Sequence, residues 1–213
     1  MSGVRIKICG ITDVADGIGA VDSGADYIGV VFAERARRVR PAEAASVIRA
    51  VYGRAHGVGV FVDETEDDLL GYWSVVGFDI AQLHGSESAD LCDRLRTQGL
   101  GVWKAIRPRS RDELMTGLAE YSGSVDAILI EGFSTSAAGG TGTAFPHEWL
   151  DGVERTALPD IVLAGGLDPD NVAVAIAAVA PDIVDVSSGV ESAPGRKSTE
   201  RVDAFIHAAR TAS

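Results

Sequence analysis

The chain of 213 residues has only two cysteines, Cys9 and Cys92. Two are too few for a disulfide framework, so a reducing cytoplasm is the expected setting. No apolar run approaches the ~20 residues that a membrane span needs. The opening stretch, MSGVRIKICGIT, lacks the apolar core of a signal peptide. The four histidines (His56, His84, His147 and His207) are scattered, and no Cys/His cluster has metal-ligand spacing. Positive charge is scarce as well: Lys+Arg number 19 against 31 Asp+Glu, a net charge of -12. That balance argues against nucleic acid or an anionic membrane as the main partner. What remains is the composition of a globular protein, 46% hydrophobic and 23% charged, without a low-complexity tract. No linker or break in composition divides it, so one domain over residues 1–213 is expected.

Apolar runs and helix-patterned stretches alternate with regularity. Strand-like runs occur at RIKICG (5–10), YIGVVF (27–32), HGVGVFV (56–62), IAQLHG (80–85), GVWKAI (101–106), VDAILIEG (125–132), DIVLAGG (160–166) and IVDVSSGV (183–190). Between them lie stretches such as DVADGIGAVDSG, PAEAASVIRAVYG, SADLCDRLRTQG and PDNVAVAIAAVA, several ending in Gly as a helix C-cap does. Strands alternating with helices imply parallel pairing and right-handed crossovers. The near-continuous Val/Ile/Leu runs suit a sheet buried on both faces. Eight such units predict an α/β fold, a single (β/α)8 barrel. A doubly wound open sheet is the alternative, but the Gly-x-Gly-x-x-Gly turn after its first strand is missing.

In a barrel of this kind chemistry gathers where strands run out. Those ends hold Cys9, Phe32 with the arginines after it, Val62-Asp63, Gln82, His84, Lys104, Glu131, Gly165-Gly166, and Asp185 with Ser187-Ser188-Gly189. In LAGGLDPDNV, Asp168 is read as an N-cap and Pro169 as the first helical residue. The glycine pair there and the small residues of VDVSSGVESAPGRKS, both in the last two units, favour a phosphate site built from backbone N–H groups. Taken singly, Gly165 and Gly166 equally suit a tight turn. Cys9 reads as a core thiol or, with Lys7 two residues earlier on the same face, as a base. His84 reads either as a near-core histidine or as a substrate contact. Arg35, Arg37, Arg38 and Arg40 form a basic loop in an acidic chain, either solvated or attracting an anionic ligand. ILIEGFSTSAAGGTGTAF (128–145) ends an apolar strand on a carboxylate, Glu131, before a glycine-rich loop.

KICGIT, GADYIGVVF, AQLHGSE, GGTGTAF, LAGGLDPDNV and DVSSGVESAPGRK resemble, in order, the signatures of the phosphoribosylanthranilate isomerase family, from residue 5 to about residue 206. The resemblance implies a TIM barrel of tryptophan biosynthesis that performs an Amadori rearrangement on a small phosphorylated substrate, phosphoribosylanthranilate. It implies no redox cofactor and no metal, and a monomer or homodimer. A general acid protonates the ribose ring oxygen, opening the ring to a Schiff base; a general base then takes the C2 proton, giving an enolamine that becomes the ketose. Cys9 matches the family's base, and Glu131 stands where the family has an aspartate as general acid. Burial raises a thiol's pKa, so a nearby cation such as Lys7 has to offset it. Arg37 or Arg38 matches the substrate arginine, in a loop reading Arg35-Ala36-Arg37 where the family often has Ser-Pro-Arg. Gln82 and Asp185 match positions near the anthranilate, and Gly166, Ser188 and Gly189 match the phosphate loops. Glu131 leaves a related isomerase of changed specificity as an alternative, and a barrel that binds a phosphorylated ligand without turnover as another.

Overall fold

The Val/Ile/Leu runs form eight parallel strands in the computed structural model, in which residues 3–33, 36–132 and 146–212 are described. They are β1 (Arg5–Cys9), β2 (Tyr27–Val31), β3 (His56–Phe61), β4 (Ile80–Leu83), β5 (Gly101–Ile106), β6 (Ala127–Glu131), β7 (Asp160–Ala164) and β8 (Ile183–Val186). Each pairs with the next, and β1 closes onto β8, so the sheet is the expected barrel and not an open sheet. A short antiparallel hairpin, β9 (Glu191–Ala193) with β10 (Arg196–Lys197), follows β8. Arg35 and the GGTG stretch (139–142) lie outside the described residues.

The helices packed around the barrel are α1 (Val14–Asp22), α2 (Pro41–Val51), α3 (Glu66–Val76), α4 (Ala89–Thr97), α5 (Arg111–Tyr121), α6 (Val172–Val179) and α7 (Thr199–Thr211). Most start on a short polar side chain that accepts an otherwise unpaired backbone N–H: Asp13 from Asp16, Thr65 from Asp68, Ser88 from Leu91, Ser110 from Glu113 and Ser198 from Arg201. Pro41 opens α2, where its missing N–H costs nothing. Two expectations need correction. Between β6 and β7 the described residues form two 3-10 turns, His147–Leu150 and Arg155–Ala157, and no α-helix. α6 begins at Val172, so Pro169 is not helical; the Asp168 carboxylate accepts from the N–H groups of Asp170 and Asn171 in the turn before it.

Period-two alternation decides which side chains point inward. Ile6, Ile8, Ile28, Val30, Ile128, Ile130, Ile161 and Leu163 face the helices. Tyr27, Val58, Trp103, Leu129, Val162 and Ile183 fill the barrel interior. At its floor one device recurs. Asp26, Asp79, Asp126 and Asp182 each precede an even-numbered strand and accept the N–H of Ile6, Gly57, Val102 or Ile161 on the odd-numbered strand before it, at 2.7–2.8 Å. Each carboxylate satisfies a donor that the ladder leaves unpaired. Asp126 is thereby fixed at the end of the barrel opposite Glu131.

Gly29 of β2 marks a tight approach below the strand ends. A Cβ there would lie 2.8 Å from Cys9 Sγ and 3.2 Å from Lys7 Cε. Gly29→Ala is therefore expected to destabilise the barrel by about 1–3 kcal/mol through overpacking. The urea unfolding midpoint measures this, and an unchanged midpoint would show that Cys9 and Lys7 shift aside freely.

Candidate active site

The strands' C-terminal ends surround a cavity of about 250 Å³. Its wall includes Cys9, Arg37, Gln82, His84, Glu131, Gly165, Gly166, Asp185 and Ser188. Two of the candidate residues are not on that wall. Lys7 is completely buried one inward step below Cys9, with Nζ 3.0 Å from Asp185 Oδ2. Direct contact with a substrate is thus replaced by support from beneath. Gly189 lies behind the wall, packed so tightly that a Cβ would sit 1.9 Å from the Leu167 carbonyl oxygen. Of the two arginines weighed for one role, Arg37 reaches the cavity, whereas Arg38 is exposed and bridges to Val31.

Each position follows from strand parity. Cys9 ends β1, and Asp185 on β8 is the register partner of Lys7. Gln82 on β4 points inward, and His84, two residues on, shares its face. By the same rule Lys104 on β5 points outward, where Nζ meets Glu87 at 3.0 Å and the Gly85 carbonyl at 2.7 Å. It braces the loop that carries His84 and is not a site residue. Arg107 takes the inward place: it shares the face of Trp103 and Ala105, lines the cavity and donates to Glu131. Sequence reasoning missed Arg107, although counting two residues on from Ala105 would have found it.

The electrostatics divide the cavity in two. On one side, burial pushes the Cys9 thiol above its ordinary value, and the nearby Lys7 cation opposes this without overcoming it. Burial also disfavours the charge on Lys7, yet Asp185 and Cys9 hold its pKa raised. The expected offset from Lys7 exists but is incomplete, because burial outweighs it and the Asp185 carboxylate adds to the rise. On the other side, Gln82 Nε2 and His84 Nδ1 are 3.0 Å apart, and His84 Nε2 stands 3.2 Å from Glu131 Oε2. The hydrogen bond from His84, together with Arg107, pulls Glu131 down to about 2 against the effect of its burial. With Glu131 anionic, the chain reads from the Gln82 amide to Nδ1 and from Nε2–H to the carboxylate.

Two buried acceptors are left without a partner among the described residues, Gln82 Oε1 and Asp185 Oδ1. Each such atom costs roughly 1–3 kcal/mol unless a donor arrives. Both residues line the cavity, so a ligand bearing N–H or O–H groups fits it. Between these halves run the loops after β7 and β8. Gly165 and Gly166 have φ of +90° and +71°, so the turn does require glycine. The turn brings both glycines beside Ser188, at the cavity wall.

The family model described as N-(5'phosphoribosyl)anthranilate (PRA) isomerase matches residues 6–208. The N-(5'-phosphoribosyl)anthranilate isomerase of Geobacter sp. (strain M21) is 44% identical over 210 residues, 98% of this chain and 99% of that one. Among solved structures, phosphoribosyl anthranilate isomerase from Thermotoga maritima superposes with a TM-score of 0.86 at 36% identity, covering 98% and 99% of the two chains. A phosphoribosyl anthranilate isomerase in complex with reduced 1-(o-carboxyphenylamino)-1-deoxyribulose 5-phosphate gives a TM-score of 0.85 at 34% identity, with the same coverage.

The raised Cys9 thiol generates a direct prediction. Alkylation of Cys9 by iodoacetamide, mapped by mass spectrometry, is expected to keep accelerating above pH 9, whereas an ordinary thiol of pKa about 8.5 is by then levelling off. Cys92, fully buried and pushed up to about 11, stays unmodified over the same range. A Cys9 profile that plateaus by pH 8 would show a depressed thiol and contradict the burial argument.

Proposed function

The chain belongs to the N-(5'-phosphoribosyl)anthranilate isomerase family, and from that membership we propose that it converts N-(5'-phosphoribosyl)anthranilate to its 1-amino-1-deoxyketose in tryptophan biosynthesis, with Cys9 as general base and Glu131 as general acid. One observation carries the assignment of residues. Cys9 on β1 and Glu131 on β6 face the same cavity from either side of the β7 and β8 loops. A phosphate held on those loops by backbone N–H groups of the Gly165–Gly166 and Ser188 segments extends the ribose between the two groups.

The steps follow from that placement. Glu131 donates a proton to the ribose ring oxygen; the C1–O bond breaks, and the anilino nitrogen's lone pair forms the C=N bond of the Schiff base. Cys9, as thiolate, removes the C2 proton, the C2–H electron pair forms the C1=C2 bond, and the C=N π pair returns to nitrogen, giving an enolamine. Protonation at C1 with loss of the C2 hydroxyl proton gives the ketose. The unpartnered Asp185 Oδ1 accepts the anilino N–H, and its negative charge opposes the positive charge on the Schiff-base nitrogen. Gln82 Oε1, near the anthranilate end, accepts an N–H or O–H of the substrate. Arg37 meets the anthranilate carboxylate.

Glu131 carries no proton while Arg107 and His84 both bind it, so the acid role requires one contact to loosen as substrate enters. Arg107 is the one that yields: its side chain is 51% exposed, against 16% for His84. Glu131 then protonates more readily, with His84 still beside it. A setting in the cytoplasm is part of the same proposal. Among the described residues no helix is long and apolar enough to cross a membrane.

The decay of anthranilate fluorescence, with substrate generated in situ, tests the proposal. Cys9→Ala and Glu131→Gln are each expected to cut kcat by roughly 10²–10⁴-fold, while a reduced product analogue still raises the melting temperature of both variants. Ligand-dependent stabilisation of a wild type that turns nothing over would leave a binding protein in place of an enzyme. Glu131→Asp, run beside them, asks whether the extra methylene is accommodated. An inert wild type that aspartate restores would mean that this chain has left the ancestral reaction.

A further inference from the structure

A cluster of charge flanks the cavity, and the reaction steps above leave two of its members, Glu191 and Lys197, without a role. Glu191, the first residue of β9, has 6% of its side chain exposed. Four donors converge on it. Arg37 Nε reaches Oε1 and Arg37 Nη2 reaches Oε2, both at 2.6 Å. Lys197 Nζ reaches Oε1 at 3.0 Å, and the Gly195 backbone N–H reaches the same oxygen at 3.3 Å. Burial works against the carboxylate charge, yet Arg37 and Lys197 hold its pKa below the ordinary value. Lys197, with 2% of its side chain exposed, also donates to the Ser187 carbonyl at 3.1 Å. The hairpin bearing Glu191 and Lys197 is tied to the first loop by Thr12 Oγ1 donating to the Gly195 carbonyl at 2.6 Å, and to α1 by the Lys197 N–H donating to Asp16 at 2.8 Å.

A guanidinium has two usable edges. Glu191 takes the Nε/Nη2 edge of Arg37 in a bidentate pair, while Nη1 makes no hydrogen bond among the described residues. Arg37 nonetheless lines the cavity. Its stem crosses directly over the first strand end, where a Cβ on Gly10 would lie 2.5 Å from Arg37 Cδ. A carboxylate pairing with Arg37 alone would cancel its attraction for an anion. Burial pulls the Lys197 pKa below its ordinary value while Glu191 opposes this, and with the lysine charged the cluster keeps one net positive charge. The same lysine ties it to Ser187, so the arginine and the phosphate loop are held at a fixed separation.

We propose that Glu191, backed by Lys197, is a specificity-determining positioning residue: it pins Arg37 by one edge so that the Nη1 side meets an aromatic carboxylate at a set distance from the Ser187–Ser188 phosphate loop. The inference rests on the reading of Arg37 given under the proposed function. It makes the carboxylate end of the substrate, and not the sugar, the feature that this cluster recognises.

The test compares two substrates made in situ from ribose 5-phosphate, N-(5'-phosphoribosyl)anthranilate and its counterpart from aniline, which lacks the carboxylate. Products are quantified by mass spectrometry. In Glu191→Gln the amide cannot accept along both bonds of the fork. It is expected to lower kcat/KM for the anthranilate compound on the order of tenfold, mainly through KM, with a much smaller effect on the aniline compound. In an Arg37→Gln background the same substitution should change the ratio no further, because Glu191 acts through Arg37. Should Glu191→Gln fail to fold, Glu191→Asp, which keeps the charge but withdraws the fork by one methylene, carries the same prediction. Equal losses on both substrates, or a persisting effect without Arg37, would reduce the cluster to a brace for the hairpin and overturn the inference. If the wild type turns over neither compound, the functional reading falls first and takes this inference with it.

Discussion

The site is built over one buried ion pair at the seam of the barrel. Lys7 and Asp185 are register partners where β1 meets β8, with Nζ and Oδ2 at 3.0 Å and the lysine fully enclosed. Neither charge is tolerable alone. Removing one partner of such a pair costs about 3–5 kcal/mol, whereas a packed apolar pair of similar volume is often as stable. Stability therefore does not explain why the pair is there; its position does. It sets a cation under the Cys9 thiol and leaves the second oxygen of Asp185 unpartnered at the cavity wall. Gly29 completes the arrangement by giving up the volume that Cys9 and Lys7 occupy. Three elements thus combine to hold one thiol and one acceptor in place.

The same economy of charge runs around the cavity. The chain as a whole carries -12, which opposes the approach of a phosphorylated, carboxylated molecule. Arg37, Arg107 and the buried Lys7 and Lys197 concentrate positive charge where the strands end, and each is tied to a carboxylate: Glu191, Glu131, Asp185 and again Glu191. The pairing keeps the cations oriented when the site is empty. Attraction for an anion then depends on where the pairs leave an edge unfilled and on where net positive charge remains.

The barrel was legible because its strands are buried on both faces, so their apolar runs stand out without alternation. Glycines at the ends of the helix-patterned stretches marked several helix ends for an equally local reason. The start of α6 was misplaced because Asp168 and Pro169 resemble a cap and a first helical residue, yet the Asp168 carboxylate serves a turn that delays the helix to Val172. At the site, Cys9, Gln82, His84, Glu131 and Asp185 showed as polar residues ending apolar runs. Lys104 showed in the same way, but parity sends it outward. Arg107 lies in AIRPRSRDEL, where it reads as loop charge until the β5 register is known. Glu191 and Lys197 were out of reach for a different reason. Their roles depend on a hairpin returning across more than 150 residues to Arg37, and no local pattern encodes such a return.

Glu131 shows how much a single methylene can rearrange. With a shorter acid at this strand end, the carboxylate would sit closer to its own backbone; the longer arm reaches both His84 Nε2 and the Arg107 guanidinium. Those contacts hold it near 2, so a proton donor built on this carboxylate needs one of them to loosen. The lower the pKa, the smaller the protonated fraction at neutral pH, although the acid that remains is a stronger donor. In the proposed reaction proton donation is coupled to substrate entry, with Arg107, the more exposed contact, as the moving part and His84, held by Gln82, as the stationary one. On that reading the longer side chain keeps the acid and makes it conditional on a bound substrate.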